Sequence, residues 1–361
     1  MRAPAADLQH VEHVDPFEGD RAVYVEVVAC RHGRRLSVQE SPPGRVGAGG
    51  MRTVGAEAVI GGKLLQRWFD APSWLLALAL LLEILPRAVD GSLHVCFGVT
   101  EPDAGTDTTR ISTFARRKGD GYVVNGRKVW ITKAGDSQKM ILIARTTPRA
   151  EVAKPTEGLS LFLIDIDPAQ VHLQAIPKMG RNAVQSYEVV FDDLFVPESA
   201  RIGEEGNGFK YLLDGLNPER ILLAHEALGI GRAAIRRAVG YAKERIVFDR
   251  PIGQNQGVAF PLAEAVMRLD AAELVARNAA WRYDQGLPCG REANTAKYLC
   301  ADAGFKAADQ AVQTHGGMGY ANEYHVERYF RESRVLRLAP VSQEMVLNYV
   351  SQHVLGLPKS Y

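Results

Sequence analysis

A chain of 361 residues is too long for one ordinary hydrophobic core, since single cores stop growing at about 250 to 300 residues, so several domains are expected. Its 43 basic side chains nearly cancel its 42 acidic ones, which leaves no field to attract nucleic acid or an anionic membrane. Four cysteines without a Cys-x-x-Cys pair indicate neither a metal site nor a disulfide framework. The first twenty residues lack an apolar core, and we expect a cytoplasmic protein.

Residues 1–94 are predicted to form an atypical, incomplete helical N-terminal domain. The apolar stretch Trp74–Leu85 spans 12 residues, far fewer than the roughly 20 that cross a bilayer, so it is predicted to be a buried helix. Pro86 predicts the end of this helical segment. The first 54 residues do not show a helical pattern.

Residues 95–203 are predicted to form a β domain. Asn125-Gly126 lies between apolar pairs, and it predicts a hairpin turn because both residues tolerate positive φ. The runs of β-type residues are Tyr122–Thr132, Met140–Ala144, Leu159–Ile166 and Tyr187–Val196.

Residues 204–361 are predicted to form an antiparallel helical bundle. Asn217 is a plausible N-cap with Pro218 at the first helical position, and Gly316 is a plausible C-cap of a later helix. Ser342 can cap a last helix. The predicted fold class is therefore α+β multidomain, with a helical N-terminal segment, a central antiparallel β-barrel-like domain and a C-terminal antiparallel helical bundle.

Five segments, in order and spacing, resemble the acyl-CoA dehydrogenase family. Each segment is a weak signal alone, but five in family order are hard to reach by chance. The resemblance covers roughly residues 84–361 and implies FAD as the cofactor and an acyl-CoA as the substrate. The five segments are Phe97–Thr106, Asp120–Thr132, Gly206–Phe209, Arg245–Gln256 and Gln313–Tyr320.

The resemblance implies that the first two segments line the flavin. Trp130 and Thr132 would bracket the isoalloxazine ring, although Trp130 could also be an ordinary core aromatic. Thr106 stands where the family usually has serine, and the hydroxyl group is retained. The residues implied to contact FAD here are Phe97, Val99, Thr100, Gly105, Thr106, Trp130, Ile131 and Thr132.

The later segments resemble the family's contacts with the FAD pyrophosphate and adenosine, which are made across a subunit boundary. The guanidinium group of Arg245 has paired N–H donors and a positive charge, which suit phosphate oxygens. The ordinary explanation of an arginine at a helix end is a favourable contact with the helix dipole. The resemblance thus implies a homo-oligomer, a dimer or a tetramer. The residues implied to make these contacts are Arg245, Gln256, Gln313, Gly316 and Gly317, and the resemblance also implies FAD contacts for Phe248, Ser342 and Glu344.

The resemblance also implies a carboxylate that removes the proton α to the thioester. Many family members place it late in the chain, where Pro340 stands here. Branched-chain and long-chain members place it on an earlier helix, in a segment ending Glu-Arg, which Asn217–Leu223 matches. Glu219 is therefore predicted to be the catalytic base. The alternative is that it has no catalytic role and only interacts favourably with the dipole at the start of a helix. The implied substrate contacts are Thr106, Arg220 and Val341.

The implied activity is FAD-dependent α,β-dehydrogenation of an acyl-CoA to the trans-2-enoyl-CoA, with flavin N5 taking the β-hydride. An electron-transfer flavoprotein is the implied electron acceptor. An acyl-CoA oxidase on the same fold is one alternative. A non-catalytic relative that binds flavin or CoA is another, because Pro340 removes both the late carboxylate and a backbone N–H.

Overall fold

The computed structural model describes residues 83–360, and the predictions for residues 1–82 lie outside them. The described chain opens with helix α1 (Leu85–Asp90), which has Pro86 in its first turn. The prediction that Pro86 ends a helical segment is therefore wrong. Proline fits the first helical turn because its missing N–H has no partner to lose there. Gly91 ends this helix with φ of 80°.

Eight strands form one sheet. Its strand order is β6-β7-β3-β2-β4-β5-β8, and β1 pairs with β4. Neighbouring strands are antiparallel, except that β1 and β2 each pair with β4 in parallel. The strands are β1 (Val95–Gly98), β2 (Phe114–Lys118), β3 (Gly121–Thr132), β4 (Lys139–Arg145), β5 (Leu159–Asp165), β6 (Val171–Ala175), β7 (Ser186–Pro197) and β8 (Arg201–Ile202).

Asn125 and Gly126 lie inside strand β3, so the predicted hairpin turn at this pair is wrong. The pairing of β3 with β7 shifts register between Val124 and Gly126, which is a β-bulge. Gly126 has φ of 152°, and a Cβ atom there would lie 2.6 Å from the Cα of Thr113. Glycine is thus needed for a close backbone approach. The turn between β2 and β3 is formed instead by Gly119-Asp120.

The chain after the sheet is mainly helical, which confirms the predicted α+β class for the described residues. A separate two-stranded antiparallel sheet is formed by β9 (Ile246–Val247) and β10 (Arg250–Pro251). The helices share a core rich in alanine, which lets their axes approach closely. Within residues 83–360, no helix has both the length and the apolar character needed to cross a membrane. The helices are α2 (Gly208–Glu244), α3 (Gln256–Asp284), α4 (Gly290–His315), α5 (Val326–Val335) and α6 (Gln343–Tyr349).

Helix α2 contributes to both the core beneath the sheet and the core of the helical bundle. It begins at Gly208 and contains Pro218, so the predicted helix start at Asn217-Pro218 is wrong. The helix continues through the proline because both flanking turns are anchored by burial. Leu212 packs in a core beneath the sheet, and Ile221 packs in the core of the helical bundle. Residues near Pro218 are therefore held where sheet and bundle meet.

The two other predicted caps are confirmed. Gly316 closes α4 with φ of 58°, and its N–H donates to the carbonyl of Gln313. The hydroxyl of Ser342 accepts a hydrogen bond from the N–H of Met345 and caps α6.

Candidate active site

A cleft of about 510 Å³ lies between the sheet and helix α2. Its walls come from β1 and the loop after it, from the end of β3, from α2, and from residues 338–342. The cleft thus brings together segments that are far apart in sequence. The predicted site residues that line it are Phe97, Val99, Thr100, Gly105, Thr106, Trp130, Ile131, Thr132, Glu219, Val341 and Ser342.

One face of α2 forms the wall that contains the predicted base. Leu212, Leu216 and Glu219 all line the cleft, and their spacing of four and three residues places them on one helix face. The carboxylate therefore enters a site whose nearest helical neighbours are leucines. Pro340 lines the same cleft, so both positions at which the resemblance leads us to expect a base lie at one cavity.

The environment of Glu219 favours its neutral form. Burial raises the pKa of the Glu219 carboxyl, and the adjacent Arg220 charge opposes that shift only in part. A carboxylate with a raised pKa is a stronger base once it is ionised. Arg220 itself does not line the cleft, and its Nη1 donates to the side-chain oxygen of Asn217 at 3.0 Å.

Strand β3 turns its tryptophan into the cleft through a local distortion. Trp130 has φ of 62°, and the pairing of β3 with β7 shifts register between Lys128 and Ile131. A bulge of this kind re-aims a side chain, and it is common beside active sites. Trp130 is 55% exposed, so it is not a core aromatic. The sequence pattern contained no signal for this bulge.

A buried ion pair links Phe97–Thr106 to Asp120–Thr132, the two segments that are expected to line the flavin and are called the flavin-type segments below. This pair was not predicted from the sequence. Lys128 is fully buried and its Nζ lies 2.9 Å from Glu101, which is also buried. Glu101 also accepts hydrogen bonds from Ser112 and from the N–H of Thr113. Although burial opposes its ionisation, Lys128 and these donors lower the pKa of Glu101 to about 2. The pair joins β3 to the loop that contributes Thr100 and Gly105.

The sequence contained no local signal for the Glu101–Lys128 pair. The two residues lie 27 positions apart, and nothing in either segment alone identifies its partner.

Residues 338–342 form a closed segment that separates two cavities. The Nε of Arg337 donates to the side chain of Gln343 at 2.8 Å, and the Gln343 N–H donates back to the Arg337 carbonyl. From the adjacent helix α4, Lys297 donates to the carbonyl of Val341. A second cavity of about 560 Å³ lies beyond Trp130 and Pro340, against α5 and the loop at residues 178–184.

The residues predicted to hold pyrophosphate and adenosine do not line the cleft. Arg245, Gln256 and Gln313 are exposed, as are Gly316 and Gly317 after α4. Tyr241 stacks on His315 with ring centroids 4.4 Å apart, which brings the C-terminal ends of α2 and α4 together. This predicted group therefore occupies the surface at one end of the bundle. The predicted residues outside the cleft are Arg220, Arg245, Phe248, Gln256, Gln313, Gly316, Gly317 and Glu344.

Most of the described chain is similar to known proteins. Residues 96–194 match the family model described as acyl-CoA dehydrogenase, middle domain, and residues 206–355 match acyl-CoA dehydrogenase, C-terminal domain. The chain is 40% identical over 279 residues to acyl-CoA dehydrogenase fadE12 of Mycobacterium bovis, covering 77% of this chain and 71% of that protein.

Solved structures show the same similarity. Butyryl-CoA dehydrogenase from Megasphaera elsdenii superimposes with a TM-score of 0.72 and 33% identity, covering 76% of this chain and 71% of that one. A structure described as the FAD complex of PigA gives a TM-score of 0.71 and 29% identity, covering 76% and 71%.

The sheet, the helical bundle and the carboxylate-bearing cleft between them define a flavoprotein oxidoreductase fold. The chain belongs to the acyl-CoA dehydrogenase family.

Proposed function

We propose that the chain catalyses FAD-dependent α,β-dehydrogenation of an acyl-CoA to the trans-2-enoyl-CoA, with Glu219 as the base. The observation that supports this most directly is the position of Glu219 in a cleft whose opposite wall consists of the flavin-type segments. A positioned carboxylate near an apolar face is what proton abstraction α to a thioester requires.

The residues of the cleft fit FAD. An isoalloxazine ring needs apolar surface against its faces and hydrogen-bonding groups at its edges. Trp130 and Val99 supply apolar surface, and the hydroxyls of Thr100, Thr106 and Thr132 supply hydrogen-bonding groups in the same cleft. We therefore propose that the cleft residues named above hold the flavin. The chemistry that FAD supplies when it is bound is acceptance of the substrate's β-hydride at flavin N5.

The remaining chemistry falls to this chain's own residues. The ionised Glu219 carboxylate takes the proton from the α-carbon, and the electron pair of that C–H bond forms the α,β double bond. The hydride leaves the β-carbon with its own electron pair, so atoms and electrons balance. Leu212 and Leu216 exclude water beside the carboxylate and thereby sustain its raised pKa.

A product assay tests the role of Glu219. Parent protein, Glu219→Gln and Glu226→Gln are incubated with straight, branched and cyclic acyl-CoAs and an artificial electron acceptor, and the enoyl-CoA is measured by mass spectrometry. We expect Glu219→Gln to lose at least about 100-fold in rate, because general base catalysis contributes about that much. Glu226 lies on the same helix but pairs with Arg181, so its variant should keep the parent rate. Equal rates for all three proteins would reject Glu219 as the base.

The electron acceptor is a separate part of the proposal. We propose an electron-transfer flavoprotein, because Trp130 is half exposed and offers an aromatic path from the flavin-type wall to the surface. Oxygen consumption during turnover distinguishes this from an oxidase. Substrate-dependent oxygen uptake at the full turnover rate would replace the dehydrogenase proposal with the oxidase.

We also propose that the chain forms a homo-oligomer through helix α3. Phe260, Met267, Leu274 and Trp281 recur every seven residues along this helix, and each is 55% to 70% exposed. Such a row of large exposed apolar side chains on one helix face, here called the apolar stripe, indicates an interface. The charges beside it are paired within the helix, as in Glu264–Arg268, so two copies would meet without repulsion.

A further inference from the structure

Helix α4 has a charged residue on its alanine-rich buried face. The side chain of Lys297 is 1% exposed, and it lies in the helix between Ala293 and Ala301, which are also buried. Burying an ammonium group costs free energy of folding. A protein with an apolar residue of similar volume at such a position is often as stable or more stable. The fold therefore does not explain this lysine.

The surroundings of Lys297 add to that cost. Burial lowers the pKa of Lys297 to about 8, and the nearby charge of Arg220 acts in the same direction. The carboxylate of Glu344 opposes the shift only in part. The hydrogen-bond acceptor of its ammonium group is a backbone carbonyl, that of Val341.

The bonded carbonyl belongs to the cleft. Val341 lies in the closed segment 338–342, whose residues line the same cavity as Glu219. Arg337 and Gln343 close the two ends of this segment on each other, and Ser342 caps the helix that follows. Lys297 holds the middle of the segment, between these two anchors, from the side of the helical bundle.

We propose that Lys297 is a positioning residue, whose ammonium group fixes the carbonyl of Val341 and so holds the Pro340–Ser342 wall in place opposite Glu219. This inference rests on the proposed function of the cleft. Pro340 gives the segment no N–H of its own at the centre, so it depends on an anchor from outside. An acyl chain placed against a displaced wall would present its α-carbon poorly to the base.

The first test is amide hydrogen exchange on Lys297→Met, Lys297→Gln and Lys297→Arg, with Lys306→Met as the control. Lys306 lies on the same helix but is exposed and pairs with Asp302. We expect peptides covering residues 337–346 to exchange at least about tenfold faster in Lys297→Met, while the rest of α4 keeps its protection. The glutamine variant, which can still donate, and the arginine variant should restore part of the protection.

The second test is the rate of flavin reduction by saturating acyl-CoA, together with the thermal unfolding midpoint. We expect Lys297→Met to reduce its flavin roughly 10- to 100-fold more slowly, as for a small misplacement of reacting groups. Its unfolding midpoint should equal or exceed that of the parent, because a buried charge is removed. A purely structural lysine would instead lower the midpoint and leave the rate per bound flavin unchanged.

The outcomes are separable from the proposed function. Parental exchange and a parental reduction rate in any folded Lys297 variant would overturn the positioning role. If no acyl-CoA reduces the parent protein, the proposed function fails, and the exchange experiment still decides whether Lys297 anchors the segment. If Lys297→Met does not fold, the same comparison is made between Lys297→Gln and the parent.

Discussion

At the scale of single residues, the partial burial of Glu219 suits its proposed role as a base but lowers the stability of the fold at neutral pH. Its carboxyl is half-buried in the cleft beside leucines, and this burial raises its pKa. A folded-state pKa above the unfolded one means that stability falls as pH rises through that folded pKa. We therefore predict that Glu219→Gln stabilises the fold at neutral pH and that this gain shrinks as the pH is lowered.

Urea unfolding of the parent and of Glu219→Gln across about pH 5 to 8 measures the effect. Glu226→Gln is the control, because Glu226 forms a partly exposed ion pair, which contributes little. A Glu219→Gln variant that is less stable than the parent at every pH would contradict the inferred burial of the carboxylate.

The ion pair of Lys128 and Glu101, in contrast to Glu219, is expected to stabilise the fold at neutral pH. We predict that Lys128→Met destabilises the protein by about 3–5 kcal/mol, because it leaves a buried carboxylate without its cation. The folded pKa of Glu101 is about 2, below its ordinary 4.5, so the stability it contributes is present above pH 4.5 and is lost as pH falls toward 2. The double variant with Glu101→Gln should recover much of the loss in denaturant unfolding, and additive losses would count against a coupled pair.

At the scale of elements, the close contact between α2 and α4 requires glycine at position 304. A Cβ atom on Gly304 would lie 3.0 Å from the carbonyl carbon of Ala227 and closer still to its oxygen. We predict that Gly304→Ala costs about 1–3 kcal/mol, because two packed backbones must separate. Gly240→Ala is the matched control. Gly240 lies in a helix with open space around it, so alanine there should stabilise by about 0.5–1 kcal/mol. Equal effects in thermal unfolding would contradict this packing.

The same scale shows what the sequence predicts well. The runs within β3, β4, β5 and β7 were predicted because they are rich in β-branched, aromatic and other apolar residues, and the caps Gly316 and Ser342 because capping is local. Strand β2 was missed because it reads Phe-Ala-Arg-Arg-Lys and is held by its neighbours rather than by composition. Asn125-Gly126 and Pro218 misled the prediction because tertiary contacts overrode local turn and helix-start signals.

For the candidate site too, local features of the sequence were predicted and tertiary contacts were not. The cleft residues of the two flavin-type segments were predicted because each segment is contiguous in sequence. The bulge that exposes Trp130, the pair of Glu101 with Lys128 and the contact of Lys297 with Val341 were not predicted. Each of these depends on how a strand pairs or on residues that meet only after folding, and no short pattern in the chain records it.

At the scale of the whole molecule, the apolar stripe of α3 predicts self-association. We expect Met267→Lys combined with Leu274→Lys to lower the oligomeric state measured by light scattering during size-exclusion chromatography, because two buried ammonium groups cannot be accommodated at an apolar interface. Leu355→Lys is the control, since Leu355 is about as exposed but lies outside the stripe. An unchanged mass for the double variant would place the interface elsewhere.

The central claim is that a flavin bound in the cleft is reduced by an acyl-CoA with Glu219 as the base. Anaerobic flavin absorbance of the purified protein, titrated with straight, branched and cyclic acyl-CoAs beside Glu219→Gln, tests it most directly. The account predicts that at least one thioester bleaches the parent flavin and that the same thioester leaves the variant oxidised. Bound flavin that no thioester reduces, or a variant that bleaches as fast as the parent, would contradict it.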